Sequence, residues 1–343
     1  MGHQLRPGHA VTTRYVRGVA RASVPGRSAL VGNPSDGFGG ATIAFALDEL
    51  ETVVQAEPAL RVELVTGDEQ LEFTDLAELV AAATAGRYPG SGPAALLMAA
   101  ARRYADRYPE LSDRGLRLAV VRSSIPPRVG LAGSGAIVIG ALRALGGLFG
   151  EPIPDRALPG FARECETEEL GISGGRQDQV IQTYGGVLFM DFDSSNPDGG
   201  RWEALDPALL PSLFVAWLPD AGTDSGITHR AAHERFASGD PEVVATMDAI
   251  GRLAERALTP LTLGDSAGLG VLLDENFDLR NRIYDLDPRH VELIETARHL
   301  GAPANYTGSG GAIVGLFRNE DHLAGLREAF EGLGCELLVR RGA

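Results

Sequence analysis

Residues Ile125–Ala141 read IPPRVGLAGSGAIVIGA. Two prolines end a preceding strand, a glycine- and serine-rich stretch follows, and an apolar run of helical spacing begins at once. A loop of that kind leaves the first amides of the helix without intrahelical partners, and the helix dipole adds positive potential there. The chemistry it supports is anion binding, phosphate above all. Ser134 could cap the helix or ligate a metal on the phosphates. The plainer reading is a serine-capped helix with small residues for close packing.

Three further segments carry groups that could do chemistry. Asn305–Ala312, NYTGSGGA, is a second glycine loop leading into an apolar run. It lies about 170 residues from the first, so the two could flank one ligand across a cleft. Glu164–Asp191 places acidic residues before a Gly/Ser turn and Gln177-Asp178-Gln179 after it. A carboxylate there could hold a substrate hydroxyl or coordinate magnesium; the plainer readings are a solvated helix face for the glutamates and a helix cap for Asp178. Pro25–Ala41, PGRSALVGNPSDGFGGA, presents Asn33, Ser35 and Asp36 on a turn after a strand. That turn suits a hydroxyl-rich ligand, although Asn-Pro and Asp-Gly are also ordinary turn dipeptides. With 44 glycines in 343 residues, no single glycine loop is specific.

Composition removes several classes of function. The 31 basic residues are all arginine, so P-loop kinases, protein kinases and Schiff-base or pyridoxal enzymes, which need a lysine, are excluded. Against 46 acidic residues they leave a net charge of −15, which repels nucleic acid and anionic membranes. Two cysteines, Cys165 and Cys335, cannot build a disulfide framework or a four-cysteine zinc site. The most apolar stretch, Ala132–Phe149, is interrupted by Arg143 and reads as a buried helix instead of a membrane span. The first 20 residues lack the continuous apolar core of a signal peptide, so a disordered lead and a cytoplasmic protein are expected.

The elements that must position these groups are mixed in order. Strands are predicted at Ser28–Val31, Leu116–Val121, Gly185–Phe192, Leu213–Leu218, Ala312–Phe317 and Cys335–Val339. Helices are predicted at Ala94–Tyr108, Ala136–Phe149, Phe161–Leu170, Pro241–Ala257, Val291–Leu300 and Asp321–Phe330. Without a regular βαβ beat, the class is α+β. The Ser/Asn/Pro/Asp/Gly-rich stretch at 193–200 marks the domain boundary, giving 21–199 and 200–343 after the lead at 1–20.

Taken in this order, the four segments resemble the GHMP kinases, the family of galactokinase, homoserine kinase, mevalonate kinase and phosphomevalonate kinase. PPRVGLAGSGA is similar to that family's Pro-x-x-x-Gly-Leu-Gly-Ser-Ser-Ala phosphate loop, NYTGSGGA to its C-terminal glycine motif, and PGRSALVGNPSD to its N-terminal substrate motif. VGNPSDGFGG, GLAGSGAIV, ELGISGGRQDQVIQTYGG, DSGITH at Asp224–His229 and ENFDLRNR resemble the glucuronokinase branch in particular. The resemblance implies a two-domain fold, with an N-terminal domain like ribosomal protein S5 domain 2 and a ferredoxin-like C-terminal domain. It implies an ATP- and Mg²⁺-dependent sugar 1-kinase acting on glucuronate, with small molecules as its only partners. Alternatives are a kinase for another sugar or a heptose phosphate, or an inactive sensor of the same fold.

Residue by residue, the family pattern assigns the nucleotide phosphates to Pro127, Gly130, Leu131, Ala132, Gly133, Ser134, Gly135 and Ala136, and the metal to Ser134 and Glu166. Asp178 falls on the catalytic aspartate, and Arg27 occupies the site where relatives carry lysine or arginine close to it. Asn33, Ser35, Asp36, Gly175, Gly308, Ser309 and Gly310 fall on the substrate side. Gly135 departs from the pattern, which has serine there, and weaker magnesium binding follows if that serine carried the metal. A glucuronate carboxylate needs a cationic partner, for which Arg128, Arg280 and Arg282 are candidates.

Overall fold

In the computed structural model, which describes residues 12–16, 18–67, 69–172, 174–195, 199–219 and 225–342, the chain builds two sheets with helices packed against them. The first sheet contains β1 (Thr12–Val16), β2 (Val19–Val31), β3 (Ala41–Pro58), β4 (Val62–Thr66), β5 (Glu69–Phe73), β6 (Leu116–Ser123), β7 (Val187–Asp191) and β8 (Arg201–Leu205). Its order is β1-β2-β3-β6-β4-β5, with β7 and then β8 added beside the start of β3. The 18-residue β3 joins the two halves, pairing Ala41–Phe45 with β7 and Thr52–Pro58 with β6. Its first seven residues are all buried, whereas the far half alternates, with Val54 and Ala56 inward and Gln55 and Glu57 outward.

The second sheet holds β9 (Leu213–Trp217), β10 (Ala304–Tyr306), β11 (Ala312–Leu316) and β12 (Glu336–Arg340) in the order β10-β11-β9-β12, antiparallel throughout. In chain order that is second-third-first-fourth, the split arrangement of a ferredoxin-like unit. The helices are α1 (Leu76–Thr84), α2 (Pro93–Arg107), α3 (Gly133–Phe149), α4 (Leu158–Thr167) and α5 (Gln177–Tyr184), then α6 (Ser225–Ala237), α7 (Pro241–Leu263), α8 (Ser266–Ile283), α9 (Pro288–His299) and α10 (Glu320–Gly332). The class is therefore α+β.

Among the described residues, five of the ten helices start on a side-chain cap. Asp75, Asp240, Asp265, Asp287 and Asn319 each accept a first-turn amide of α1, α7, α8, α9 and α10. Helix α3 has no such cap, but 11 of its 17 residues are buried. Val138, Ile139, Leu142 and Leu145 are at most 1% exposed against β2 and β3. Each such side chain contributes about 1.5–3 kcal/mol of burial, enough to hold the helix without help from its N-terminus.

Two expectations about organisation are corrected. The lead through residue 20 is not irregular where it is described: Thr12–Val16 is a strand, registered from Thr12 opposite Ser23 to Val16 opposite Val19. The edge of β2 offers unpaired amides and carbonyls, and TTRYV has the β-branched and aromatic residues to take them. The boundary expected at 199/200 falls between β7 and β8, which pair in one sheet, so the first sheet extends to Leu205. Among the described residues no helix is long and apolar enough to cross a membrane. Asp224, which opens the DSGITH segment, lies outside the described residues.

Candidate active site

The start of α3 is shaped by backbone. Ala132 stands at the N-cap with φ 63° and gives no side-chain hydrogen bond, and Arg128 four residues earlier has φ 61°. Non-glycine residues adopt that conformation only where the surroundings impose it. Here Gln182 of α5 imposes it: its Nε2 donates to the Ala132 carbonyl at 2.7 Å and to the Pro25 carbonyl at 3.1 Å. Ser134 is thus inside the helix, not its cap. The amides of Gly133, Ser134 and Gly135 make no hydrogen bond among the described residues, and the first to do so is Ala136, to the Ala132 carbonyl. Three open amides at a dipole's positive end form an anion cradle. Leu131 and Ala132 are buried behind it and Pro127 is exposed at its edge.

The Ser134 hydroxyl lies beside the carboxylate of Glu166 on α4, and Gln179 Nε2 donates to Glu166 Oε2. Glu166 is 5% exposed, and burial pushes its pKa up to about 7, an effect that the neighbouring Asp178 reinforces. No group of three His, Cys, Asp or Glu among the described residues is placed to hold a metal. A buried carboxylate without a cationic hydrogen-bond partner, next to a hydroxyl, fits a magnesium ion that takes its remaining ligands from phosphate and water.

Across the cradle, Arg27 of β2 is 3% exposed, and its Nη2 donates to Asp178 Oδ1 at 2.5 Å. Asp178 is the second residue of α5 and is one-quarter exposed, so it borders open space while the guanidinium does not. Arg27 Nη1 donates to the carbonyls of Thr307 and Gly130, and the Arg27 amide donates to the Leu131 carbonyl at 3.1 Å. One arginine therefore ties the aspartate to both glycine loops.

Those loops, far apart in sequence, touch backbone to backbone. A Cβ on Gly308 would lie 2.3 Å from the Gly130 carbonyl oxygen, and one on Gly130 would lie 2.9 Å from that of Gly310. Only glycine permits the approach. The Gly308 carbonyl accepts from Asn33 Nδ2 at 2.8 Å and from Arg280 Nη1 at 2.7 Å, and the Ser309 carbonyl accepts from Arg280 Nη2 at 3.0 Å. Arg280 is 1% exposed and stacks over Tyr284 and Tyr306. Proposed above as a partner for a substrate carboxylate, it instead gives both terminal nitrogens to the loop. Arg128 and Arg282 are exposed.

The substrate-side residues divide. Asp36 is 1% exposed; its Oδ2 accepts from the amides of Arg176 and Gln177 and its Oδ1 from Gln177 Nε2. It caps α5 from across the chain, and burial raises its pKa to about 6. Gly175 lies against that carboxylate, where a Cβ would overlap it. Ser35 is fully buried and bonds the Ala41 carbonyl, which closes its own turn. Asn33 links Gln177 to Gly308. Asp36, Ser35 and Asn33 thus assemble the frame that aims Asp178 and the second loop.

Sequence reading missed Gln182, Gln177 and Asn276. Asn276 Oδ1 accepts from the Gly32 amide at 2.6 Å and its Nδ2 donates to the Asn33 carbonyl at 2.8 Å. A signal existed for it: Asn276 and Arg280 are four apart in ENFDLRNR, hence on one face of α8.

The chain is similar to known proteins over most of its length. Residues 95–186 match the GHMP kinases N terminal domain and residues 253–334 the GHMP kinases C terminal domain. Glucuronokinase 1 of Arabidopsis thaliana is 33% identical over 315 residues, covering 87% of this chain and 86% of that protein. D-glycero-alpha-D-manno-heptose 7-phosphate kinase of Campylobacter jejuni is 40% identical over 171 residues, 48% of this chain and 49% of its own. The galactokinase of Lactococcus lactis, solved with galactose, superposes with a TM-score of 0.75 at 18% identity over 95% of this chain and 94% of its own.

Proposed function

The chain belongs to the GHMP kinase family, and from that premise we propose that it transfers the γ-phosphate of ATP to the anomeric hydroxyl of D-glucuronate, giving glucuronate 1-phosphate. It is a phosphotransferase with an alcohol group as acceptor. The observation that carries the reading is the set of open amides at Gly133–Gly135, flanked by Ser134–Glu166 on one side and Arg27–Asp178 on the other.

Phosphoryl transfer asks a protein mainly to position the reactants and neutralise charge. In this reading the amides of Gly133, Ser134 and Gly135 hold the phosphate oxygens, as the lysine of other kinases does. Mg²⁺ held by Ser134 and Glu166 would supply the remaining neutralisation. Asp178, fixed through Arg27, accepts a hydrogen bond from the acceptor hydroxyl and orients its lone pair toward the γ-phosphorus. Arg27 in turn keeps that carboxylate facing the cradle. The two glycine loops bring backbone close to the reactants from opposite sides.

Glucuronate as acceptor is supported by the identity to Glucuronokinase 1 over most of the chain. The test is coupled ADP release from the purified protein with ATP, Mg²⁺ and a panel of sugars. Saturable turnover with glucuronate is expected. Turnover with a neutral sugar or a heptose 7-phosphate, and none with glucuronate, replaces the substrate. No turnover with any sugar, alongside intact ATP binding, marks an inactive member of the family.

A further inference from the structure

Arg280 of α8 is withdrawn from water, forms no ion pair among the described residues, and keeps its Nε buried without a hydrogen-bond partner. Burying a guanidinium is costly unless other contacts compensate. Here the compensation comes from the second glycine loop and two aromatic faces. Nη1 donates to the Gly308 carbonyl at 2.7 Å and Nη2 to the Ser309 carbonyl at 3.0 Å, while the group lies 5.2 Å from the Tyr284 ring centroid and 5.0 Å from that of Tyr306. A planar fork can span two successive carbonyls with its faces against rings; an ammonium group cannot. Asn33 Nδ2 shares the Gly308 carbonyl, and Asn276, one turn earlier on α8, holds the Asn33 carbonyl in turn.

The two carbonyls belong to consecutive peptide groups, 308–309 and 309–310. In a trans peptide the carbonyl and the amide hydrogen point in opposite directions. Arg280 therefore turns the N–H groups of Ser309 and Gly310 away from the guanidinium. Neither makes a hydrogen bond among the described residues. They border the first loop: a Cβ on Gly130 would lie 3.1 Å from Ser309 N and 3.3 Å from Gly310 N, so the side chain that glycine lacks leaves the space beside them open. The Gly310 carbonyl oxygen, 2.9 Å from the same point, bounds that space. Consecutive open amides turned one way are donors for an anionic oxygen.

The same loop adjoins the ion pair at Asp178. A Cβ on Gly308 would lie 3.1 Å from Arg27 Nη1, and Arg27 Nη2 carries Asp178. We propose that Arg280 is a positioning residue for phosphoryl transfer, holding the amides of Ser309 and Gly310 toward an oxygen of the phosphoryl group in flight. This rests on the reading of the chain as a sugar kinase. Charge that develops on that oxygen meets donors already in place, and a carbonyl bound to a cation makes the N–H of its own peptide a better donor.

The test compares wild type with R280M and R280K on ATP and whichever sugar the wild type phosphorylates, with folding checked by urea unfolding. R280M should lower kcat roughly 100-fold, the cost of losing one preorganised donor, while KM for ATP and for the sugar each stay within about threefold. R280K, which keeps the charge but reaches one carbonyl, should fall between the two proteins. Binding supplies a readout that a merely structural role would not move. Calorimetry should show R280M weakening the complex with ADP, aluminium fluoride and magnesium, a mimic of the group in flight, roughly 100-fold, with affinity for a non-hydrolysable ATP analogue unmoved. Equal weakening of both complexes, a rise in KM with kcat unchanged, or undiminished turnover in R280M overturns the proposal. Glucuronate turnover that R280M does not diminish keeps the acceptor reading and removes this one. Turnover with a neutral sugar only, lost in R280M through kcat, keeps this one and removes glucuronate. A wild type that phosphorylates no sugar overturns both.

Discussion

Gly135 stands where the family pattern has serine, and replacing it tests how the cradle is held. A Cβ at this position would lie 2.4 Å from Gln182 Oε1 and 3.5 Å from its Cδ, about 1 Å inside normal contact. The end of a flexible side chain could ordinarily turn aside, but Gln182 is fully buried and its Nε2 is bonded to the Ala132 and Pro25 carbonyls. Displacing it disrupts both bonds, at about 1–3 kcal/mol for each group left buried and unpaired. The Ala132 carbonyl keeps its bond from the Ala136 amide, and a helical Gly→Ala change returns about 0.5–1 kcal/mol. Gly135→Ala should therefore destabilise by about 1–3 kcal/mol and raise KM for ATP, because Ala132 loses the contact that holds its left-handed turn. Gln182→Ala removes the obstruction, so the double variant should be no less stable than Gln182→Ala alone. Urea unfolding of the four proteins, fitted with a shared m-value, measures the coupling. Additive costs, or a Gly135→Ala protein stabilised as an unobstructed helix would be, show that Gln182 does not obstruct a side chain at this position.

Further outcomes follow from the same geometry. Asp178→Asn should remove turnover by 100-fold or more, roughly the contribution of a positioned acid–base group, while ATP affinity measured by calorimetry stays within about threefold; undiminished kcat would take Asp178 out of the chemistry. Asp36 has a folded pKa of about 6, above the ordinary 3.8, so its contribution to stability is full below pH 3.8 and is lost as pH rises through 6. Wild type should therefore lose up to about 3 kcal/mol relative to Asp36→Asn between pH 4 and pH 8, and a difference that does not vary with pH contradicts the burial account.

The parts of this site that backbone builds were legible from sequence. Pro-Pro followed by Gly/Ser and an apolar helical run marks a loop entering a buried helix, and NYTGSGGA marks a second glycine loop that could flank the same ligand. Arg27 and Asp178 were placed through family resemblance, and they form an ion pair in the structure. The long-range side-chain bonds that aim these groups were not legible. Asp36 looked like a turn residue because its partners, the amides of Arg176 and Gln177, are 140 residues away. Arg280 looked like a free cation because nothing local shows that its nitrogens meet the carbonyls of Gly308 and Ser309. Strand β3 escaped notice for a related reason. Its first half is buried on both faces and does not alternate, so ATIAFAL carries no period-two signal.

In the proposed mechanism, peptide amides at the start of α3 grip the donor nucleotide in a chain without lysine. A crystal structure with a non-hydrolysable ATP analogue and magnesium tests it most directly. Phosphate oxygens should lie within about 3 Å of the amide nitrogens of Gly133, Ser134 and Gly135, with the γ-phosphate turned toward Asp178. A triphosphate bound elsewhere, or one held by side chains while those amides stay free, contradicts it.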